Sequence, residues 1–96
     1  MKAKACAIVL RKIADGVQVL LFRHPLAGVQ LVKGGIQPGE TPAQAAVREL
    51  FEEGGLKATG VTEVHVIDFA ECGQRWHICL CDVGSTPNSW VHDTFD

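Results

Sequence analysis

Short apolar runs separated by turn residues fill the first third of the chain, which is the pattern typical of β-strands. Asp15-Gly16 predicts a hairpin turn, and His24-Pro25 predicts the end of a strand. The first strand is apolar on both faces, so we expect it to be buried on both sides. The segments predicted as strands are residues 3–11, 17–22 and 29–32.

A Gly- and Pro-rich loop then leads into a segment with clear helix signals. Thr41 is a good N-cap, Pro42 suits the first helical position, and Gln44 completes a capping box with Thr41. We expect the helix to run to about Glu53, because Gly54-Gly55 stops it. Its apolar stripe at helical spacing is Val47, Leu50, Phe51 and Gly54.

The last third predicts two longer strands, residues 61–70 and 74–83, joined by a turn at Cys72-Gly73. A loop over residues 84–89 follows, and residues 90–95 are expected to begin another strand. The 96 residues are expected to form one α/β domain, 1–96, with a mixed sheet.

The composition of the chain argues against some classes of binding partner. The formal net charge is −2 and the nine Lys and Arg residues are scattered, which argues against binding to a nucleic-acid duplex. No signal peptide or membrane span is visible, so we expect a cytoplasmic protein that does not contact membranes. The four cysteines are then expected to be thiols, used mainly as small buried hydrophobes.

The helix carries three glutamates, Glu49, Glu52 and Glu53, on the side opposite its apolar stripe, within an arc of about 100°. Two of them lie in the last turn, where the helix dipole favours cations instead. This arrangement is reasonable if a divalent cation binds there, and carboxylate oxygens suit Mg²⁺ or Mn²⁺. The alternative is a solvated, charged helix face.

The spacing of these residues extends into a longer motif. Gly34, Glu40 and the run from Arg48 to Leu56 follow the pattern G-x5-E-x7-R-E-U-x-E-E-x-G-U, where U is aliphatic. With seven positions restricted to one residue type, a chance match is on the order of 10⁻⁹ per window. The chain therefore resembles the Nudix hydrolase family, with its box over residues 34–56.

The resemblance implies an α/β/α sandwich in which the box forms a loop, a helix and a second loop. It also implies that Glu52 and Glu53 are the main ligands of Mg²⁺, or of Mn²⁺, and that Glu49 is a further ligand. The region of Gly34 would bring a backbone carbonyl close to this metal. The chain ends before the further strands and second helix usual in the family, so we expect a fold that is incomplete at its C-terminus.

The resemblance assigns catalytic roles to Glu53, Glu52 and Arg48. Arg48 would orient the glutamates through ion pairs, and Glu40 would tie the loop to the helix. The general base would be Glu53 or a carboxylate outside the box. The acidic residues available outside the box are Glu71, Asp68, Asp82 and Asp93.

The function implied is hydrolysis of a pyrophosphate bond in a nucleotide substrate, of the nucleoside triphosphate or dinucleoside polyphosphate type. Lys33 precedes the box and is expected to contact a substrate phosphate, with a solvated lysine as the alternative. Trp76 could stack on a base or belong to the core. A catalytically weak binding module and a plain structural fragment are the competing interpretations, and a homodimer could cover an exposed sheet face or edge.

Overall fold

The computed structural model describes residues 1–87, 89, 90 and 92. These residues form eight β-strands and one α-helix, together with a short 3₁₀ helix over Ala70–Cys72. In chain order the elements are β1 (Lys2–Ile8), β2 (Leu10–Ile13), β3 (Gly16–Val19), β4 (Phe22–His24), β5 (Gly28–Gln30), β6 (Val32–Gly35), α1 (Pro42–Gly54), β7 (Gly60–Phe69) and β8 (Gln74–Asp82).

Four strands form the central sheet, in the order β6-β1-β8-β7. β1 runs parallel to β8 and antiparallel to β6, and β7 runs antiparallel to β8. The sheet is therefore mixed, as predicted, and α1 packs on the face formed mainly by β1 and β6. β2 pairs with β3, and β4 with β5, as two separate hairpins.

The central part of the first strand is buried on both faces, which confirms the prediction from its apolar pattern. Ala5 and Ala7, at most 1% exposed, lie in the core cluster with residues of α1, and Cys6, which alternates to the other face, is 0% exposed. The predicted strand 3–11 is nevertheless wrong at its end. The chain changes partner at Val9, so that β1 ends before it and β2 begins after it.

Two other predicted strands also break where the chain changes its pairing strand: β3 pairs with β2, β4 with β5, and β6 with β1. The segment predicted as one strand over 17–22 divides between β3 and β4, and the segment 29–32 divides between β5 and β6. The first hairpin turn lies at Ala14 and Asp15, one residue earlier than predicted, because Gly16 pairs with Ile13. The pattern of residue types shows that strands are present, but tertiary pairing decides where they break.

The ends of α1 agree with the sequence signals. Thr41 Oγ1 accepts a hydrogen bond from the Gln44 backbone N–H at 3.1 Å, and Gln44 Oε1 accepts one from the Thr41 N–H at 2.9 Å. Gly55 adopts a left-handed φ of 70° and donates its N–H to the Phe51 carbonyl. The predicted N-cap, capping box and glycine stop are all confirmed.

The face that α1 turns to the sheet differs from the prediction. Phe51, placed in the apolar stripe by the sequence, is 51% exposed. Glu49, placed on the opposite side, has a side chain only 12% exposed, and one carboxylate oxygen of Glu53 is buried. The helix packs through small residues and one leucine, which are Ala45, Ala46, Gly54 and Leu50. Because these side chains are small, Glu49 and Glu53 can also lie on the face of the helix that packs against the sheet.

Beyond the helix, β7 and β8 agree closely with the two predicted strands. Their connection is the 3₁₀ helix followed by Gly73, whose φ of 66° is left-handed. The loop predicted after β8 contains no strand among its described residues. The strand predicted over residues 90–95 falls mostly outside the described residues. Within the described part of the chain, no helix has the length and hydropathy that a membrane crossing requires.

The orientation of α1 predicts different effects for two neighbouring residues. Leu50→Ala should lower the free energy of unfolding by about 2–5 kcal/mol, because Leu50 is fully buried. Phe51→Ala should cost less than about 1 kcal/mol, because half of that side chain is already in water. Urea unfolding followed by circular dichroism measures both. An equal loss for the two variants would mean that the helix is rotated as its sequence pattern suggests.

Candidate functional site

The Glu49 side chain of α1 contacts the sheet at Gly34. Gly34 is on the edge strand β6 and pairs with Ala5 on β1. A Cβ atom added to Gly34 would overlap the carboxylate of Glu49. A side chain at this position would therefore force the Glu49 carboxylate to move away from the strand backbone. The contact holds the Glu49 carboxylate against the end of the strand that leads into the box loop.

Arg48 joins the box loop to the helix. Its Nε donates to Glu40 Oε2 at 2.7 Å, and its Nη2 donates to Glu40 Oε1 at 3.0 Å. This paired geometry uses the planar fork of the guanidinium, which a lysine could not reproduce. Nη2 also donates to the carbonyl of Gly35 at 2.8 Å, so that the end of β6 is part of the same network.

The other arm of Arg48 contacts the helix glutamates. Nη1 donates to Glu49 Oε1 at 2.7 Å and to Glu52 Oε2 at 3.2 Å. One guanidinium thus contacts three carboxylates, of which Glu40 and Glu49 are mostly buried and Glu52 is 45% exposed. The sequence predicted ion pairs between Arg48 and the box glutamates, and it placed Glu40 between the loop and the helix. The contribution of Arg48 to catalysis stays a prediction.

The charged groups in this network shift one another's pKa values. The pKa of the Glu40 carboxyl is lowered, first by the hydrogen bonds from Arg48 and next by the Gln37 backbone N–H, which lies 2.9 Å from Oε1. The pKa of Arg48 is raised, chiefly by its hydrogen bond with Glu40. Both shifts favour the charged forms, so the network is an ion-pair cluster at neutral pH.

The candidate metal ligands all lie on the C-terminal half of α1, but their carboxylates point in different directions. Glu52 extends towards solvent, and Glu53 turns a carboxylate oxygen into the protein. Among the described residues, no three His, Cys, Asp or Glu side chains stand close enough together to hold a metal ion. The types of donor fit a hard divalent cation, and the space that a Cβ atom at Gly34 would fill is taken by a carboxylate.

Lys33 lies next to Gly34 in the chain but on the other face of the sheet. Val32 is in the core under α1, so strand alternation turns Lys33 away from the helix. Its Nζ lies 4.1 Å from the centre of the Trp76 ring, a cation–π contact. The structure therefore does not place Lys33 beside the glutamates but across the edge strand from them.

The acidic residues proposed as alternative bases are dispersed. Asp68 accepts two hydrogen bonds from Arg75, at 2.7 and 3.0 Å, and this contact lowers the pKa of Asp68. A carboxylate held in this way is a poorer proton acceptor. Glu71 lies in the exposed 3₁₀ helix, and Asp82 ends β8. Asp93 lies outside the described residues.

Sequence reasoning missed one polar pair on the helix side of the sheet. His77 Nδ1 lies 2.9 Å from Glu63 Oε2, between β8 and β7. The two residues are not direct partners in the register, because Glu63 pairs with Cys79 and His77 with Val66. Counting back from the β7–β8 turn could have suggested a diagonal contact, but the irregularity between Glu63 and His65 hides it.

The cysteines are all free thiols, and three of the four are buried. Burial raises the pKa of Cys79 to about 11, and it also raises the pKa values of Cys6 and Cys81. Neutral, buried thiols are unreactive, which agrees with the prediction that these residues mainly fill space.

Comparison with known proteins identifies the family. The family model for the NUDIX domain matches residues 1–93. The RNA pyrophosphohydrolase of Aeromonas hydrophila is 46% identical to the chain over 48 residues, which are 50% of this chain and 27% of that protein. The chain thus spans about a quarter of the length of this curated relative.

Solved structures give the same fold. A nudix hydrolase family member from Chromobacterium violaceum superposes with a TM-score of 0.69 at 26% identity, over 92% of this chain and 55% of that one. The C. elegans Ap4A hydrolase superposes with a TM-score of 0.63 at 22% identity, over 84% of this chain and 68% of that one. With a family model that matches nearly its whole length, and with the box geometry and fold in agreement, the chain belongs to the Nudix family.

Proposed function

We propose that this single domain hydrolyses a pyrophosphate bond in a nucleoside-diphosphate-linked substrate and that it depends on Mg²⁺, with Mn²⁺ as a substitute. The observation that carries the proposal is the Arg48 network, which gathers the box carboxylates beside the end of β6. The membership of the Nudix family supports it. The free cysteines agree with a reducing compartment, so we also propose the cytoplasm.

The residues that would hold the metal are Glu49, Glu52 and Glu53, together with the backbone near Gly34. Glu52 is the side chain best able to reorient, because almost half of it is in solvent. A bound divalent cation supplies charge neutralisation for phosphate oxygens and lowers the pKa of bound water. Arg48 would keep Glu49 in place while Glu52 and Glu53 turn towards it.

The reaction proposed is attack of a water oxygen on a phosphorus atom. The bond between that phosphorus and the bridging oxygen breaks, and the bridging oxygen leaves with the second phosphate. Glu53 accepts the proton of the attacking water in this proposal. The protein contributes mostly through positioning and electrostatics, because phosphoryl transfer needs little covalent help.

Nucleoside triphosphates and dinucleoside polyphosphates are the first substrates to test. The name of the Aeromonas relative, RNA pyrophosphohydrolase, adds RNA to the substrates to test. A second candidate function is a catalytically weak module that binds nucleotides. The observation that favours it is the absence, among the described residues, of three converging metal-ligating side chains.

Glu53→Gln tests the proposed chemistry. The variant should keep its fold and lose activity by roughly 10² to 10³, the range for removing one group that stabilises a transition state. Phosphate and pyrophosphate release from the substrate panel, with Mg²⁺ and with excess chelator, measures this. Asp15→Asn is the control, since Asp15 is exposed in the turn between β2 and β3. A folded wild-type protein inactive on every substrate would favour the binding module.

Two neighbouring glycines offer a matched test of the site geometry. Gly34→Ala should lower activity about 10²-fold, because its Cβ atom must displace the Glu49 carboxylate. Gly35→Ala should have little effect, because a Cβ atom there meets no other atom within 4 Å. Kinetics and circular dichroism of both variants measure this. Equal activity of the two would mean that Glu49 need not lie against the strand.

We also propose a homodimer through β7. This edge strand is ten residues long, and its exposed apolar residues include Val64 and Val66. Open strand edges of this kind favour pairing with a second chain. Multi-angle light scattering at increasing concentration should therefore show a shift from monomer to dimer, and Val66→Lys should prevent it. A wild-type monomer at the highest concentration would contradict the proposal.

A further inference from the structure

The face of the sheet opposite α1 carries an aromatic ring covered by a lysine. We infer that the Trp76 ring is the surface on which the base of the substrate stacks, and that Lys33 leaves the ring to bind the adjoining phosphate. The inference rests on the proposed function, since it takes the substrate to be a nucleotide. It gives Trp76, which lies outside the Nudix box, a role in recognising the base.

Trp76 is held in a fixed orientation. Its Nε1 donates to Gln74 Oε1 at 2.9 Å, and the Phe69 ring packs against it with centroids 4.7 Å apart and an angle of 55° between the planes. Trp76 is only partly buried, so it is not a core residue of the α1 side. A rigid indole offers a stacking surface at a small entropic cost once the Lys33 ammonium has left the ring.

The charges around the ring suit a phosphate. Lys4 pairs with Trp76 in the register of β1 and β8, and Lys2 pairs with Gln74, so both lysines share the face of the ring. Lys33 comes from β6, on the other side of β1. Three lysines therefore lie on the same face of the sheet as the partly buried ring. Basic groups next to a stacking platform are the combination that binds nucleotides without reading their sequence.

A path connects this face with the glutamates. Lys33 and Gly34 are consecutive residues of an edge strand, with Cα atoms about 3.8 Å apart, and Lys33 points to the face of Trp76 while Gly34 faces Glu49 on the other side. A base on Trp76 could thus extend its phosphates past Lys33 and around the edge, towards the carboxylates that lie beside Gly34.

The cation–π contact makes Lys33 a competitor of the base. With Nζ 4.1 Å from the ring centre, the ammonium group occupies the space that a stacked base needs. A phosphate offers the ammonium a stronger, charge-assisted partner. Base and phosphate should therefore bind cooperatively, because the phosphate draws away the group that covers the ring. A purely structural Lys33–Trp76 pair would show no such coupling.

Two-dimensional NMR of the full chain tests this without turnover. The chain has two tryptophans, so the indole Nε1–H signals of Trp76 and Trp90 report separately. The probes are AMP, ribose 5-phosphate and adenosine, titrated with excess chelator. We expect AMP to shift the Trp76 signal and to leave the Trp90 signal in place. A shift of the Trp90 signal instead would overturn the inference, because it would put the base in the cavity lined by Leu20, Leu56 and Trp90.

Variants of Trp76 and Lys33 distinguish the stacking of the base from the binding of the phosphate. Trp76→Leu should weaken AMP binding about tenfold, within the range for loss of a stacked base, and leave ribose 5-phosphate binding unchanged. Trp76→Phe should retain most of the affinity. Lys33→Ala should weaken AMP and ribose 5-phosphate, yet bind adenosine about 2- to 5-fold more tightly, because the ring is uncovered. Lys12→Ala, on β2, is the lysine control.

Two results would overturn the inference: AMP binding that Trp76→Leu does not change, or adenosine binding that Lys33→Ala does not strengthen. Both results are measurements of binding without turnover, so they do not depend on whether the protein hydrolyses the substrate. A protein inactive on all substrates could still show the binding pattern, and an active one could lack it. A 5′-phosphorylated dinucleotide identifies the source of the nucleotide: binding as tight as that of AMP assigns an RNA end, and weaker binding assigns a free nucleotide.

Discussion

The Arg48 guanidinium is the group on which the arrangement of the candidate site depends. Four glutamates, Glu40, Glu49, Glu52 and Glu53, lie in the box, and Arg48 hydrogen-bonds to three of them and to the carbonyl that ends β6. Without this cation, like charges would repel one another at a helix end whose dipole already disfavours them. The fork geometry fixes the loop, the strand end and the helix relative to one another.

The acidic helix end also explains how α1 packs. A helix selected for stability alone would place a basic residue in its last turn and a continuous apolar stripe on the sheet. Here the last turn has no basic residue, and Glu49 lies against Gly34 where an apolar side chain would otherwise pack. Alanines at 45 and 46 and the glycines keep the layers close enough for this contact. Stability is given up at the place where the chemistry is proposed.

Local signals in the sequence predicted the local structure well. Thr41, Gln44 and Gly55 mark the ends of α1 because capping depends on neighbouring residues only, and the box spacing identified the family. The rotation of α1 was mispredicted because Phe51 counts as apolar in any periodic pattern, whereas packing put small residues and Glu49 inside. The partner change at Val9 and the diagonal His77–Glu63 contact depend on strand register, which a single sequence does not encode locally.

The sheet has two chemically different faces that meet at one edge. Carboxylates lie on the side of α1, and lysines with an indole lie on the other, with Lys33 and Gly34 side by side between them. This separation keeps the cationic groups that would hold a substrate away from the anionic groups that would hold a metal. An edge strand that has no side chain at Gly34 would allow one substrate to contact both faces.

The position of a bound Mn²⁺ ion is the most direct measurement of whether the box carboxylates form a metal site. An anomalous difference map from crystals grown with MnCl₂ would locate the ion. We expect a peak shared by Glu49, Glu52 and Glu53 next to the backbone at Gly34, with Arg48 still bound to Glu40. A peak elsewhere, such as at the His77–Glu63 pair, or no peak in the presence of excess MnCl₂, would contradict this account.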